Sequence, residues 1–435
     1  MIQKMKGTYD IIDDIAYFQW IEKKIIQISK LYHYKEIRTP HFEASQLFHR
    51  GVGETSDIIS KETYDFIDRG HRENTLRPEG TAGVVRAYIE NKLYANPMVP
   101  HKFFYYGSMF RYERPQKGRF REFRQFGAEA FGSSSPLLDA ETIAFAVTFL
   151  KSLKLKDVKV SLNGLGDKAS KQAYHQALKA HLKDSIHDLC KDCQKRYQEN
   201  PLRILDCKVD TDHPALISAP KPIDYLTDDD RAHFEAVLEA LKTMDIDVEV
   251  DPSLVRGLDY YTHTVFEIKV SKALLGNQNA ICGGGRYNHL VETLDGPPTP
   301  AVGFSFGIER LIVALKAADI VMEDYGSHLY LITLGEAAQK EGLRIIQKLR
   351  LGGIMANIDF LGKSLKAQFK QSEHHKARFV VVLGDEEMRQ GDVEIKNQET
   401  QEITRSSIRG LYATLVDLLT APSACDTCEQ KGESS

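Results

Sequence analysis

The strongest constraint on the fold is a change of periodicity in the middle of the chain. Strand signals dominate the first 165 residues. From 166 to 246 the pattern turns helical, with helices expected over 167–197 and 227–244, and strand signals return at 247–251, 263–270 and 279–282. The helical block therefore reads as a domain inserted into a strand-rich one. From 327 onward strand and helix alternate, which argues for a small α/β domain with helices packed on a partly parallel sheet. At 435 residues the chain is too long for one ordinary core. We divide it at 1–165, 166–246, 247–325 and 326–420, with a polar tail, 421–435, that reads as disordered.

Local signals sharpen the first part. Ile21, Ile25, Ile28 and Tyr32 recur at helical spacing over 16–32, and a strand ending in Pro40 follows. Residues 60–77 alternate as a hairpin around Asp68-Arg69-Gly70, 81–91 reads as a helix and 103–110 as a strand.

Composition excludes several function classes. The chain is 42% hydrophobic and 27% charged, without an apolar run long enough to span a bilayer. Residues 1–6 lack the apolar region of a signal peptide, so a soluble cytoplasmic protein is expected. The net charge is -4, so any nucleic-acid contact must use local basic patches. Six cysteines, at 190, 193, 207, 282, 425 and 428, read as free thiols rather than a disulfide framework. Cys190, Cys193 and Cys207 could offer three thiolates to zinc. No fourth ligand is obvious, although His181 and His187 lie in the same stretch. Cys190 and Cys193 sit one turn apart on a helical pattern, where they can simply pack, and no structural zinc is expected. Cys425 and Cys428 fall in the polar tail.

Four segments carry chemistry. Residues 111–126 hold five Arg, one Lys and only two Glu, interleaved with three Phe and a Tyr. Pro115 and Gly118 mark a turn between two extended arms. Guanidinium forks beside aromatic faces suit a nucleotide, the forks for phosphate and the faces for a base. On the continuing strand Gln125, Gly127 and Glu129 face one side. Arg77-Pro78-Glu79-Gly80-Thr81 offers a carboxylate and a hydroxyl for an ammonium, or a helix cap. Val255 to Tyr261 combines an Arg-Gly-Leu-Asp turn with paired tyrosines. Cys282-Gly283-Gly284-Gly285-Arg286-Tyr287 has three consecutive glycines, which make sense only where something approaches the main chain closely. After a later strand, Arg310 starts a helix where it can reach a phosphate.

Together these segments resemble the class II aminoacyl-tRNA synthetases and, within them, the histidyl-tRNA synthetases. The resemblance runs from Lys6-Gly7-Thr8-Tyr9-Asp10 to the last helix. The class's first motif matches 16–40, with His33 where a glycine often stands. Its second matches 110–126, and its third Gly307-Ile308-Glu309-Arg310. The segments 254–261 and 282–287 match the histidine enzyme specifically.

The resemblance implies an α+β, multidomain fold: an antiparallel catalytic sheet flanked by helices, a helical insertion and a C-terminal α/β anticodon-binding domain. It implies two steps: attack of the histidine carboxylate on the α-phosphate of ATP, then transfer of the histidyl group to the 3′ end of histidine tRNA. By similarity Arg256 and Arg111 are the catalytic cations. Arg111, Glu113, Arg119, Phe123 and Arg310 bind ATP. Glu79, Gly80, Thr81, Gln125, Glu129, Tyr260 and Tyr261, with Arg111 and Arg256, receive histidine, and Gln116 and Arg121 meet the tRNA acceptor end. Arg114, Lys117 and Arg124 are read as a solvated hairpin surface. Magnesium accompanying ATP, a homodimer and no membrane partner complete the expectation. The rival reading is a non-catalytic paralogue such as the regulatory subunit of ATP phosphoribosyltransferase. It is disfavoured because the C-terminal domain, Arg256 and Arg310 are all present.

Overall fold

The structure, a computed structural model, describes residues 1–53, 56–156, 158–276, 279–322 and 326–420. The tail and its two cysteines lie outside the described residues. The chain divides into two units after Met322.

The first unit is built on an eight-stranded sheet. Its strands are β1 (Lys35–Glu36), β2 (His101–Phe110), β3 (Glu122–Phe131), β4 (Lys159–Gly166), β5 (Val248–Val250), β6 (Thr262–Lys269), β7 (Ala280–Arg286) and β8 (Ala301–Gly307). They lie in the order β1-β2-β3-β8-β7-β6-β4-β5. The six central strands run antiparallel, and β1 and β5 pair parallel with their neighbours at the two edges. The long β2–β3 hairpin holds register from His101↔Phe131 to Phe110↔Glu122 and carries the basic segment at its tip.

Alternation along these strands splits the sheet into two chemically different faces. Phe126 and Ala128 of β3 and Phe304 and Phe306 of β8 point to one face, against α1 (Ile15–Leu31) and α3 (Pro136–Ser152). Phe126 and Phe306 stack there at 5.8 Å, and Phe145 and Phe149 of α3 close edge-on around them. The other face carries Gln125, Glu129 and glycines, and α2 (Thr81–Glu90) flanks it. His33, after α1, holds φ at +59°, the left-handed conformation that favours the glycine often found there.

The segment between β4 and β5 is helical, but the single helix expected over 167–197 is two: α4 (Lys168–Leu182) and α5 (Lys191–Glu199). The short turn Ile186–Asp188 separates them, and Cys190 is the N-cap of α5 rather than part of a continuous helix. A second helix, α6 (Asp228–Thr243), begins with Thr227 accepting from the Asp230 N–H and packs on α3. Strand β8 runs directly into α7 (Ile308–Ala317).

The second unit has a five-stranded sheet. Its strands are β9 (Leu329–Thr333), β10 (Ala356–Ile358), β11 (Phe379–Leu383), β12 (Asp392–Asn397) and β13 (Ile403–Ser407), in the order β10-β9-β11-β12-β13. Strands β10, β9 and β11 are parallel, and β12 and β13 antiparallel. Helices Glu336–Leu351 and Leu411–Thr420 bury one apolar set against it. The strand-helix alternation read from the sequence is thus preserved, with one extra short helix at Asp385–Gln390. Among the described residues no helix is long and apolar enough to cross a membrane.

A buried ion pair locks the first unit. Arg286 of β7 and Asp139 of α3 are both fully buried. Arg286 Nε donates to Asp139 Oδ1 at 2.9 Å, and its other nitrogens reach the Ser133 and Ser135 carbonyls and Asn288. His233 of α6 and Thr264 of β6 complete the carboxylate at 2.7 and 3.0 Å. Burial alone raises the Asp139 pKa, but its bonds from His233 and Arg286 outweigh that and hold it low. Removing one partner leaves an uncompensated buried charge. Asp139→Ala is therefore expected to cost about 3–5 kcal/mol in urea unfolding. A loss below about 1 kcal/mol would show that the Arg286 charge finds another partner.

Candidate active site

One cavity of about 370 Å³ opens on the glycine-bearing face. Most of the sequence-predicted site residues meet there, and they form two clusters.

The first cluster is acidic and phenolic. Glu79 places both oxygens 2.7 Å from the Thr81 and Ala82 N–H groups, so its carboxylate caps α2. Thr81 in turn donates its hydroxyl to Glu129 Oε1 at 2.8 Å. The Tyr287 hydroxyl donates to Glu129 Oε2. Tyr260 packs between Tyr261 and Tyr287, with ring centroids 4.8 and 5.5 Å away. Gln125 accepts from the Gly80 N–H at 3.0 Å and donates to Ser305 at 3.2 Å. Gly80 therefore acts through its backbone and does not line the cavity. Burial pushes the Glu129 carboxyl up to about 8, opposed by the Tyr287 and Thr81 hydroxyls.

The second cluster is cationic. Arg111, Arg119, Arg256 and Arg310 all line the cavity. Arg111 donates Nε to the Pro78 carbonyl at 2.8 Å and lies over the Phe123 ring at 5.2 Å. Arg119 is 3.3 Å from Glu113, which also neighbours Arg111 at 3.9 Å. Arg256 is paired with Glu267 of β6, the residue registered opposite Gly283. Arg310 stands in the first turn of α7, where Gly118 of the hairpin tip approaches its backbone. Burial lowers the Arg310 pKa, and the Arg119 charge adds to it. The Nε atoms of Arg256 and Arg310 are both buried without a hydrogen-bond partner. The guanidinium groups of Arg111, Arg119, Arg256 and Arg310, gathered around one cavity, suit an anion with several oxygens.

One expectation shifts, that for Arg124, while Arg121 and Gln116, expected at the tRNA acceptor end, lie outside the cavity. Arg121 does not line the cavity: it lies 3.7 Å over the Tyr112 ring, and its N–H donates to Gly7. Gln116 is exposed at the hairpin tip, bridged to Arg119. Arg124 is not a solvated cation: it is half-buried over Phe18, 3.7 Å from Glu309. The Glu309 carboxylate also accepts the Arg124 N–H with both oxygens at 2.9 Å, so this pair fixes where β3 meets α7. Arg114 and Lys117 are exposed.

Sequence reasoning passed over Tyr287, Tyr105 and Glu267. Tyr287 was quoted only as the end of the glycine segment. Its alternation with Gly285 and Gly283 was the available signal.

The comparisons agree with this geometry. The family model described as "Histidyl-tRNA synthetase" matches residues 12–311, and one described as "Anticodon binding domain" matches 328–418. "Histidine--tRNA ligase 1" of Shouchella clausii is 49% identical over 416 residues, covering 95% of this chain and 98% of the relative. "Histidine--tRNA ligase" of Geobacillus sp. is 48% identical with the same coverage. The crystal structure of apo S. aureus histidyl-tRNA synthetase superposes with a TM-score of 0.82 at 38% identity, over 95% of this chain and 100% of the other. A cavity with four guanidinium groups beside a buried carboxylate-phenol cluster is thus set in a chain matched along almost its whole length: it belongs to the histidyl-tRNA synthetase family.

Proposed function

We propose that this chain attaches L-histidine to the 3′ end of histidine tRNA through a histidyl-adenylate, consuming ATP and releasing AMP and diphosphate. The observation that carries the reading is the pairing of two unlike clusters in one cavity. One end offers four clustered guanidinium cations. The other offers a carboxylate and phenols sized for a small ring.

The assignment by residue follows. Arg256 neighbours Tyr261 on one side and Glu267 on the other, and Arg310 faces the same Glu267. That position suits the α-phosphate, with the histidine carboxylate between Arg256 and Arg111. As the carboxylate attacks, charge grows on the phosphate oxygens, and preorganised cations stabilise it without rearrangement. Arg119, Arg310 and Glu113 hold the rest of ATP, with Phe123 beside the adenine. Magnesium enters with ATP as part of the substrate. Glu79 and Thr81 take the ammonium, with Gln125 behind them. Glu129, Tyr260 and Tyr261 take the imidazole, whose neutral form has one donor and one acceptor nitrogen. A site that hydrogen-bonds its substrate rejects analogues lacking those groups by large factors.

Residues 1–165 and 247–325 form the catalytic domain in this reading. The 166–246 insertion meets the acceptor stem, with Gln116 and Arg121 contributing from the hairpin. The 326–420 domain reads the anticodon. A cytoplasmic homodimer is proposed on the first motif. A regulatory paralogue has no need of four phosphate-facing cations, and that alternative is not favoured.

The direct test is histidine-dependent exchange of pyrophosphate into ATP, expected with histidine and absent with other amino acids. Well-folded protein without exchange overturns the reading. Arg256→Ala is expected to lower exchange by about 10²–10³-fold while calorimetry still detects histidine. Exchange near wild type would displace Arg256 from the centre. The Glu129 carboxyl, at about 8, is mostly protonated at neutral pH, whereas an imidazole N–H favours the ionised form. Binding then releases a proton, so affinity rises with pH until Glu129 is ionised without ligand. Between pH 7.5 and 8.5, where free imidazole is largely neutral, histidine affinity should rise by about threefold. Glu129→Gln should flatten that rise, and an unchanged slope would assign it elsewhere.

A further inference from the structure

The segment between α4 and α6 carries a second cluster of chemistry-bearing side chains, remote in role from the cavity. Cys190, Cys193 and Cys207 converge with Asp210 so that their ligand atoms all lie within 4.8 Å of one another. The Cys190 and Cys207 sulfurs are 3.7 Å apart, and the Cys207 sulfur is 3.4 Å from Asp210 Oδ2. A disulfide requires about 2.05 Å between sulfurs. A tetrahedral zinc ion, with Zn–S of about 2.3 Å and Zn–O of about 2.0 Å, sets S···S edges of about 3.8 Å and S···O edges of about 3.5 Å. The Cys190–Cys207 and Cys207–Asp210 spacings match those edges, and the remaining pairs lie within 4.8 Å.

We propose that Cys190, Cys193, Cys207 and Asp210 bind one structural zinc ion. The sequence expectation of simple thiol packing fails on the fourth donor, which is a carboxylate and not His181 or His187. His181 is engaged with the Ala215 carbonyl at 2.9 Å. Neutral thiols can hold that carboxylate only through weak S–H donors, whereas a cation shared with three thiolates holds it strongly. The surrounding backbone fits a negatively charged ligand set. The Cys190 N–H donates to Asp210 Oδ2 at 3.0 Å, and the Asp210 N–H points at the Cys207 sulfur at 3.4 Å. Such outer bonds fix ligand orientation. Cys190 and Cys193 come from the N-cap and first turn of α5, and Cys207 and Asp210 from the loop after the turn Pro201–Asp206. Zinc would staple these two pieces, which share only a small core around Tyr174, Leu178, Leu182 and Ile204. The stapled loop is also the one that reaches the cavity: Arg203 and Asp206 line it.

Full-length protein, purified without chelator or added metal and gel-filtered, is expected to hold about one zinc per chain. Stripped, reduced protein titrated with cobalt should develop a thiolate-to-cobalt charge-transfer band that saturates at one equivalent and disappears when zinc is added. Cys193→Ser and Cys207→Ser should abolish the band, and Asp210→Ala should weaken cobalt affinity by at least about tenfold. The proposal is overturned if reduced wild-type protein with native circular dichroism gives no such band. It is equally overturned if Cys207→Ser retains wild-type zinc, or if mass spectrometry finds Cys190 and Cys207 joined as a disulfide in the protein as isolated.

Discussion

Three neighbouring strands lack side chains where the largest groups of the site must lie, and the rest of the site depends on that. A Cβ on Gly303 would sit 1.8 Å from Glu129 Oε2, one on Gly283 2.0 Å from Arg256 Nη2, and one on Gly127 2.3 Å from the Tyr105 ring. These glycines stand on β8, β7 and β3, which are adjacent in the sheet. Glu129, Arg256 and Tyr105 therefore lie flat on the backbone, and the cavity opens above them. Glycine in a strand costs backbone entropy and forgoes packing. The opposite face supplies the compensation: Phe126, Phe304 and Phe306 stack there in a continuous aromatic core, one residue out of step with the glycines. An alanine at Gly283 would displace Arg256, whereas one at Gly303 would also meet the Ala128 carbonyl of β3 at 2.6 Å.

The cationic end is held ready by carboxylates rather than by solvent. Glu113 stands between Arg111 and Arg119, and Glu267 is paired with Arg256. These pairings separate like charges that would otherwise repel, yet leave the Nε atoms of Arg256 and Arg310 unsatisfied. Buried donors without partners are costly. At the other end Thr81 and Tyr287 donate to Glu129, and the helix start satisfies Glu79. That end is rigid by hydrogen bonding, and its selectivity rests on geometry, not on adjustment.

Much of this was legible in the sequence because it is local. The β2–β3 hairpin, the run from β8 into α7 and the strand-helix alternation of the second unit each announce themselves within about a dozen residues by periodicity and turn chemistry. The twelve side chains expected in the cavity that do line it come from short recognisable segments. What escaped is held by long-range pairing. Arg286 was read as part of a glycine segment, and nothing near it names Asp139, 147 positions away, as its partner. Arg124 belongs to a basic run, and only the fold brings Glu309 beneath it. Asp210 is illegible for a different reason: an aspartate three residues after a cysteine carries no metal-ligand spacing signal.

The same distinction explains why the phenolic end of the cavity is tied to the insertion. No regular element spans the residues between β5 and β6, so the backbone that presents Arg256, Tyr260 and Tyr261 has no ladder of its own. Its hydrogen bonds must go elsewhere. Lys171 of α4 donates to the Tyr261 carbonyl, Asn200 donates to Asp259 at 2.9 Å, and Arg203 stands 3.7 Å from the same carboxylate. Burial pulls the Lys171 ammonium down to about 8 despite the nearby Asp167 and Asp259. The insertion thus supplies the order that the Arg-Gly-Leu-Asp turn lacks, and it does so from α4 and from the loop that Cys207 ends. A force that moved the insertion would reach Tyr261 and the Asp259 turn directly, through these three contacts and without any change in the sheet. The sheet fixes Glu129 and Gln125, while the insertion fixes the residues that face them. Both halves must be in place before the cavity has two walls.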